Sequence, residues 1–147
     1  MFKHILVPTD GSKLSLKALD LAAGLATTTG AQVSVLHVAP TYPTMIAGDG
    51  YMVTPMTEKE WNASVDKHTA RVRELVERRA KVKAVPIQFF SAAEDQPYMA
   101  IIDVARRKKC DLIVIATHGR KGFPALLLGS ETTKVLTHCK LPVLVCR

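Results

Sequence analysis

The residues with most capacity for chemistry lie in one stretch of the last third, Asp111 to Ser130. It opens with the apolar run Leu112 to Ala116 and continues through Thr117, His118, Gly119, Arg120 and Lys121 to Gly122, Gly129 and Ser130. A buried strand that delivers its backbone into a glycine-bearing loop and then a helix start is built to receive an anion. Glycine lets the backbone come close, and the free N–H groups and helix dipole attract negative charge. Gly119, Gly129 and Ser130 are the best phosphate positions; Gly122, followed by Phe-Pro, reads as loop geometry. Arg120 and Lys121 either meet phosphates or are solvated charges at a loop tip. His118 invites a catalytic role, yet no matching nucleophile and orienting acid accompany it. No Walker lysine motif is present. A second polar loop, Pro8-Thr9-Asp10-Gly11-Ser12, follows the first apolar run and offers Asp10 as a ligand contact.

The elements that must position these loops follow from apolar periodicity. Phe2 to Val7 predicts strand one, stopped by Pro8. From Ser12, a helical period runs through Leu14, Ala18, Leu21, Ala22 and Leu25 to Gly30. Ala31 to Val38 predicts strand two. The segment from Ala39 to Thr57 is long for a structureless connection, and its Met45, Tyr51 and Met52 suit a flap over a ligand. Thr57 and Glu60 have capping-box spacing, and the following helix places Trp61, Val65, His68, Val72, Leu75 and Val76 on one face. Val85 to Phe90 predicts strand three, at a sheet edge because of Pro86. The next helix is expected to turn Met99, Ile102, Val104 and Ala105 inward, with Glu94 and Asp95 at its N-terminus to match the dipole. Leu112 to Ala116 is strand four, Ser130 to His138 the last helix, and Leu141 to Cys146 strand five. Continuously apolar strands alternating with helices imply a parallel sheet covered on both faces. The expected fold is an α/β three-layer doubly wound sandwich, with ligands bound where the winding reverses, between strands one and four.

At 147 residues, with 48% hydrophobic and 22% charged residues, one domain spanning 1–147 with a real core is expected. No apolar run reaches membrane-spanning length, so no membrane partner is expected. Three cysteines without metal spacing, Cys110, Cys139 and Cys146, suit a reducing, cytoplasmic setting. The net charge of +7 is scattered over helix faces among acidic residues, which disfavours nucleic acid as a partner. His4, His37, His68 and His138 read as packing or surface residues. A strand five at the sheet edge would expose Val143, Leu144 and Val145, and a two-fold related copy would cover them.

Three blocks resemble the universal stress protein family: Ile5-Leu6-Val7-Pro8-Thr9-Asp10-Gly11-Ser12; Thr117-His118-Gly119-Arg120 with Leu127-Leu128-Gly129-Ser130; and Leu141-Pro142-Val143-Leu144-Val145. The resemblance runs the length of the chain. It implies a five-stranded parallel sheet of order 3-2-1-4-5 with four helices, a homodimer through strand five, and ATP, with Mg2+ as companion cation, in the crevice named above. Of the nucleotide-binding branch's pattern Gly-x2-Gly-x9-Gly-Ser/Thr, Gly119, Gly129 and Ser130 match, while Ala116 stands at the first glycine. Pro8, Asp10, Val38 and Thr132 match further family contacts; Thr9, Thr117, His118 and Arg120 flank the matched positions. Glu131 is a second departure, tolerable beside phosphates only if it points away. The expected role is a stress-response sensor or regulator that binds ATP rather than a turnover enzyme. The alternatives are a slow ATPase or self-phosphorylating protein with Ser130 or Thr132 as acceptor, and a dimeric interaction module without nucleotide.

Overall fold

The computed structural model of the protein describes residues 1–43, 56–117 and 128–147. The expectations for Met45, Tyr51 and Met52, and for His118, Gly119, Arg120, Lys121 and Gly122, lie outside those residues.

Nine elements follow in strict alternation: β1 (His4–Pro8), α1 (Lys13–Thr29), β2 (Gln32–Ala39), α2 (Glu58–Lys83), β3 (Ile87–Ala93), α3 (Pro97–Arg107), β4 (Leu112–Ala116), α4 (Ser130–His138) and β5 (Val143–Cys146). The strands form one parallel sheet of order β3-β2-β1-β4-β5. One face carries Ile5, Val7, Val33, Val35, Leu112 and Val114, packed against Leu19 and Ala22 of α1 and Val72 and Val76 of α2. The other carries Leu6, Leu36, Ile113 and Ile115, packed against Ile101 and Val104 of α3 and Val135 of α4. Both faces of the central strands β1 and β4 are buried, which is why those strands read as continuous apolar runs.

Local signals set most boundaries. Ser12 caps α1 by accepting from the Ser15 amide at 3.2 Å, and Gly30 closes it at φ 73°. The Thr57–Glu60 box is complete: the Glu60 carboxylate accepts from the Thr57 amide at 2.8 Å, and the Thr57 hydroxyl accepts from the Glu60 amide at 3.3 Å. The Thr57 amide and hydroxyl hold the Glu60 carboxyl below its ordinary value. Along α2, Val72 and Val76 are buried and Trp61, Val65, His68 and Leu75 half-buried, as the stripe predicted. Trp61 meets Tyr42 edge-on, with ring centres 6.2 Å apart.

Beyond shifts of one or two residues at the ends of β1, β2 and β5, three details differ from the sequence reading. β3 begins at Ile87 rather than Val85 and runs on to Ala93, because its register against β2 pairs Val33 with Ile87 and Ala39 with Ala93. Pro86 therefore precedes the strand at the sheet's outer edge. α3 is rotated relative to the expected face: Ala100, Ile101, Val104 and Ala105 are buried, Ile102 is half-buried and Met99 is exposed. Burial of a branched side chain such as Ile101 is worth roughly 1.5–3 kcal/mol, and the stripe i, i+1, i+4, i+5 captures it while leaving flexible Met99 outside. Glu94 and Asp95 lie just ahead of the α3 N-cap rather than in its first turn. Glu94 accepts from the Asp95 and Gln96 amides, and Asp95 accepts from Thr41 beyond β2.

Candidate functional site at the sheet switch point

The winding reverses between β1 and β4. Their ladder holds only Ile5↔Leu112 and Leu6↔Ile113, although both strands continue past it. Pro8 ends β1 without an N–H to donate, so the two strand ends part and the loops after them face one opening.

The β1–α1 loop is fixed on all sides. The Thr9 amide donates to the Leu36 carbonyl of β2 at 2.8 Å, and the Thr9 and Ser15 hydroxyls meet at 2.8 Å. The Gly11 amide donates to the Thr9 hydroxyl at 3.2 Å, and the Ser12 amide to Asp10 at 3.0 Å. Gly11 sits at φ 78°, which favours glycine, and a Cβ there would stand a tight 3.1 Å from the Val72 side chain of α2. The Thr9 carbonyl lies 3.0 Å from Nδ1 of buried His37. This loop presents Asp10 half-exposed at the opening, while Pro8 and Thr9 are buried.

Across the opening, β4 ends at buried Ala116 and Thr117. The Thr117 amide donates to the Cys146 carbonyl of β5 at 2.8 Å, and the Thr117 carbonyl accepts from the Gly129 amide. That bond brings the chain back to the head of α4 directly beside the point where it left the sheet. Gly129 is the N-cap of α4, in extended backbone at φ −67° and ψ 154°, and among the described residues no side chain caps the helix. The first-turn N–H groups of Ser130, Glu131 and Thr132 have no partner within a helix by its geometry, and a glycine cap supplies them no side chain. Ser130 is exposed at this end.

Glu131 turns away from the cap. Its carboxylate accepts from the Tyr98 amide in the first turn of α3 at 2.9 Å and from Lys134 at 2.9 Å. Gln96, the N-cap of α3, supplies no side-chain bond, so Glu131 caps a neighbouring helix in its stead. The departure noted in the sequence is therefore resolved: the charge is neutralised by Lys134 and by the α3 dipole. Thr132 is buried, and its hydroxyl donates to the Ala116 carbonyl at 2.8 Å, fastening α4 to β4. Val38, half-buried near the end of β2, packs its side chain against the α3/α4 face. The structure thus brings Pro8, Thr9, Asp10, Ala116, Thr117, Gly129 and Ser130 to adjacent strand ends. Glu131 and Thr132 lie beside them in supporting roles. His118, Gly119 and Arg120 fall outside the described residues. Sequence reasoning missed His37 as the clamp on the Thr9 carbonyl, since a histidine within a valine-rich strand carries no local signal of its partner. Among the described residues, no group of three or more His, Cys, Asp or Glu is placed to hold a metal ion, and no helix is long and apolar enough to cross a membrane.

Compared with known families, the chain matches the universal stress protein family over residues 1–147. It is 33% identical to the universal stress protein YxiE of Bacillus subtilis, the alignment covering 100% of both chains. Among solved structures it is similar to the universal stress protein UspA from Lactobacillus plantarum, with a TM-score of 0.83 and 24% identity over 99% of this chain and 97% of that one. A universal stress protein in complex with cAMP gives 0.72 and 22% identity over 99% and 97%. One from Archaeoglobus fulgidus in complex with dAMP gives 0.66 and 17% over 99% and 98%. The uncapped head of α4 across from Asp10 is thus set in a chain whose whole length follows one family pattern, and the chain belongs to the universal stress protein family.

Proposed function

We propose that this protein binds an adenine nucleotide, with ATP as the expected form, at the opening between β1 and β4. Its role in this reading is that of a small cytoplasmic stress-response sensor or regulator of one domain. The observation that carries the proposal is the head of α4: a glycine cap, no capping side chain, and a position at the switch point opposite Asp10. Solved relatives in complex with cAMP and dAMP support the adenine nucleotide class.

In this assignment the first-turn N–H groups of α4, Gly129 and Ser130 hold phosphate, with Gly119 and Arg120 as the sequence-derived companions. Asp10 and the Pro8–Thr9 backbone border the ligand from the β1 side, and Val38 from β2. Ala116 and Thr117 form the floor on β4. Mg2+, where present, is carried by the nucleotide's own phosphates and water, since the described residues offer no carboxylate cluster for it. The Thr132 hydroxyl is committed to the Ala116 carbonyl, which argues against it as a phosphoryl acceptor and leaves Ser130 for the slow self-phosphorylation alternative. Of the two residues favouring a module without nucleotide, Glu131 faces α3, so only the Ala116 methyl supports that reading. β5 stands at the sheet edge with Leu144 exposed, which supports a homodimer through Val143, Leu144 and Val145.

The test is to denature the purified protein and identify released nucleotide, then to titrate ATP, AMP and cAMP by calorimetry with and without Mg2+. The decisive variant is Gly129→Asp. The backbone there suits any residue, and an aspartate cap strengthens the helix by a few tenths of a kcal/mol while placing a carboxylate over the N–H groups. The expected outcome is an unchanged or raised Tm together with nucleotide affinity reduced at least about tenfold, the equivalent of roughly 1.4 kcal/mol. No copurified nucleotide and no heat at millimolar nucleotide would overturn the proposal.

A further inference from the structure

The five strands run parallel, so the segments that lead into them meet at one pole of the sheet, opposite the β1/β4 opening. Backbone bonds tie neighbouring lead-ins together. The Gln32 amide donates to the Lys3 carbonyl at 2.8 Å, the Asp111 amide to the His4 carbonyl at 2.9 Å, and the Ile113 amide to the Pro142 carbonyl at 3.0 Å. Every lead-in except that of β2 brings exposed lysine to this pole: Lys3 before β1, Lys81 and Lys83 before β3, Lys109 before β4 and Lys140 before β5. Charges scattered along the chain are thus collected by the fold. Among the described residues no carboxylate pairs with any of these five. The nearby acids are committed elsewhere: Asp111 accepts from the Lys3 and His4 amides, and Asp103 holds Arg106 and Arg107.

We propose that this pole docks on an anionic lipid bilayer, with the lysines against head groups and Phe2 and Val82 entering the interface. Helix dipoles account for Lys81 and Lys83, which lie in the last turn of α2. They do not account for Lys3 and Lys140, which lie outside the helices. Lys109 stands at φ 55°, just past the end of α3, where glycine is the less strained occupant. Apolar side chains stand among the lysines: Phe2 is 37% exposed, and Val82, between Lys81 and Lys83, is 79% exposed. Exposed apolar residues set among lysines have the composition of a surface-bound membrane contact. Lysine suits it, being a compact charge on a long apolar stem. Nucleic acid fits less well, because stacking and base contacts lean on arginine, and Arg106 and Arg107 are held by Asp103. A contact of this kind needs no spanning segment, so it departs from the expectation of no membrane partner without contradicting its basis. The opening between β1 and β4, at the other pole, then faces away from the lipid.

The test is sedimentation of the untagged full-length protein with vesicles of phosphatidylcholine, alone or with phosphatidylserine admixed. The expected result is binding to the mixed vesicles, none to phosphatidylcholine alone, and weakening as salt rises. Lys3→Gln, Lys109→Gly and Lys140→Gln combined, all at exposed positions, should keep the fold and lower the partition at least about tenfold, since each lysine near an anionic surface is worth roughly fivefold. Lys13→Gln, Lys17→Gln and Lys59→Gln combined remove the same charge near the starts of α1 and α2, towards the other pole, and should leave binding unchanged. Phe2→Ser should weaken binding while preserving its salt dependence; unchanged affinity would overturn the entry of apolar residues into the interface. Gly129→Asp should bind vesicles as the parent does, whatever becomes of nucleotide. No sedimentation with the mixed vesicles, or equal loss in the two triple variants, overturns the proposal. Tighter binding of polyuridylate through Lys3, Lys109 and Lys140 overturns it in favour of nucleic acid.

Discussion

Glu131 illustrates how a single residue's chemistry depends on where its side chain is sent. Its position in the first turn of α4 places it beside the proposed anion site, yet its carboxylate is spent on the Tyr98 amide and Lys134. Glu131→Ala is expected to leave a first-turn amide of α3 without its cap and to cost about 1 kcal/mol of stability, in the range of other cap deletions. Nucleotide affinity should hold or rise slightly, because a negative charge has been removed from the neighbourhood. Thermal unfolding with nucleotide calorimetry on the same variant checks both; a large loss of affinity would place Glu131 in the binding site itself. At this scale the sequence was least legible. The spacing of Gly119, Gly129 and Ser130 suggested the proposed anion cradle, with Asp10 as its proposed opposite wall. The direction of Glu131, the burial of the Thr132 hydroxyl and the hold of His37 on Thr9 are long-range bonds that no local pattern encodes.

Elements were far more legible, because each is set by signals within a few residues. The Thr57–Glu60 box, the Ser12 cap and the Gly30 stop fall where the sequence placed them. The misread face of α3 has a simple cause: its apolar residues Met99, Ala100, Ile101, Ile102, Val104 and Ala105 cover more than one stripe, and only packing against Leu6 and Ile113 chooses among them. Interstrand ties also act at this scale. Asp111, just before β4, accepts from the Lys3 amide at 2.8 Å and the His4 amide at 3.0 Å, and so fastens the start of β1. Burial raises its pKa, but these backbone bonds outweigh that, and the carboxyl lies below its ordinary value. A group whose folded pKa is depressed stabilises above its unfolded value and ceases to do so as pH falls through the folded one. The contribution of Asp111 is therefore fully present at neutral pH and fades below about pH 4, the ordinary carboxylate value. Asp111→Asn should lower Tm at pH 7, with the gap to the parent protein closing as the solution is acidified.

For the molecule as a whole, alternation of strand and helix plus right-handed crossovers left few arrangements open, and the observed order β3-β2-β1-β4-β5 is the doubly wound one. Two edges result. β3 has Pro86 before it and is read from the sequence as an edge; β5 is short and keeps Leu144 exposed and Val143 and Val145 half-buried. If β5 joins two copies, Leu144→Lys should shift sedimentation from dimer to monomer without changing the far-ultraviolet spectrum. A parent protein that sediments as a monomer at high micromolar concentration would remove the proposed homodimer.

The hydrogen bond from the Gly129 amide to the Thr117 carbonyl carries a different implication. It clamps the two ends of the connection between β4 and α4, while the Thr132 hydroxyl pins the helix to the same strand end. Loop-closure cost grows only slowly with length once the ends are held. The residues between those two anchors can therefore change in number and kind over descent while the sheet, α4 and its uncapped head stay in place. Under the proposed function, ligand preference can thus be retuned within the segment while the scaffold remains constant.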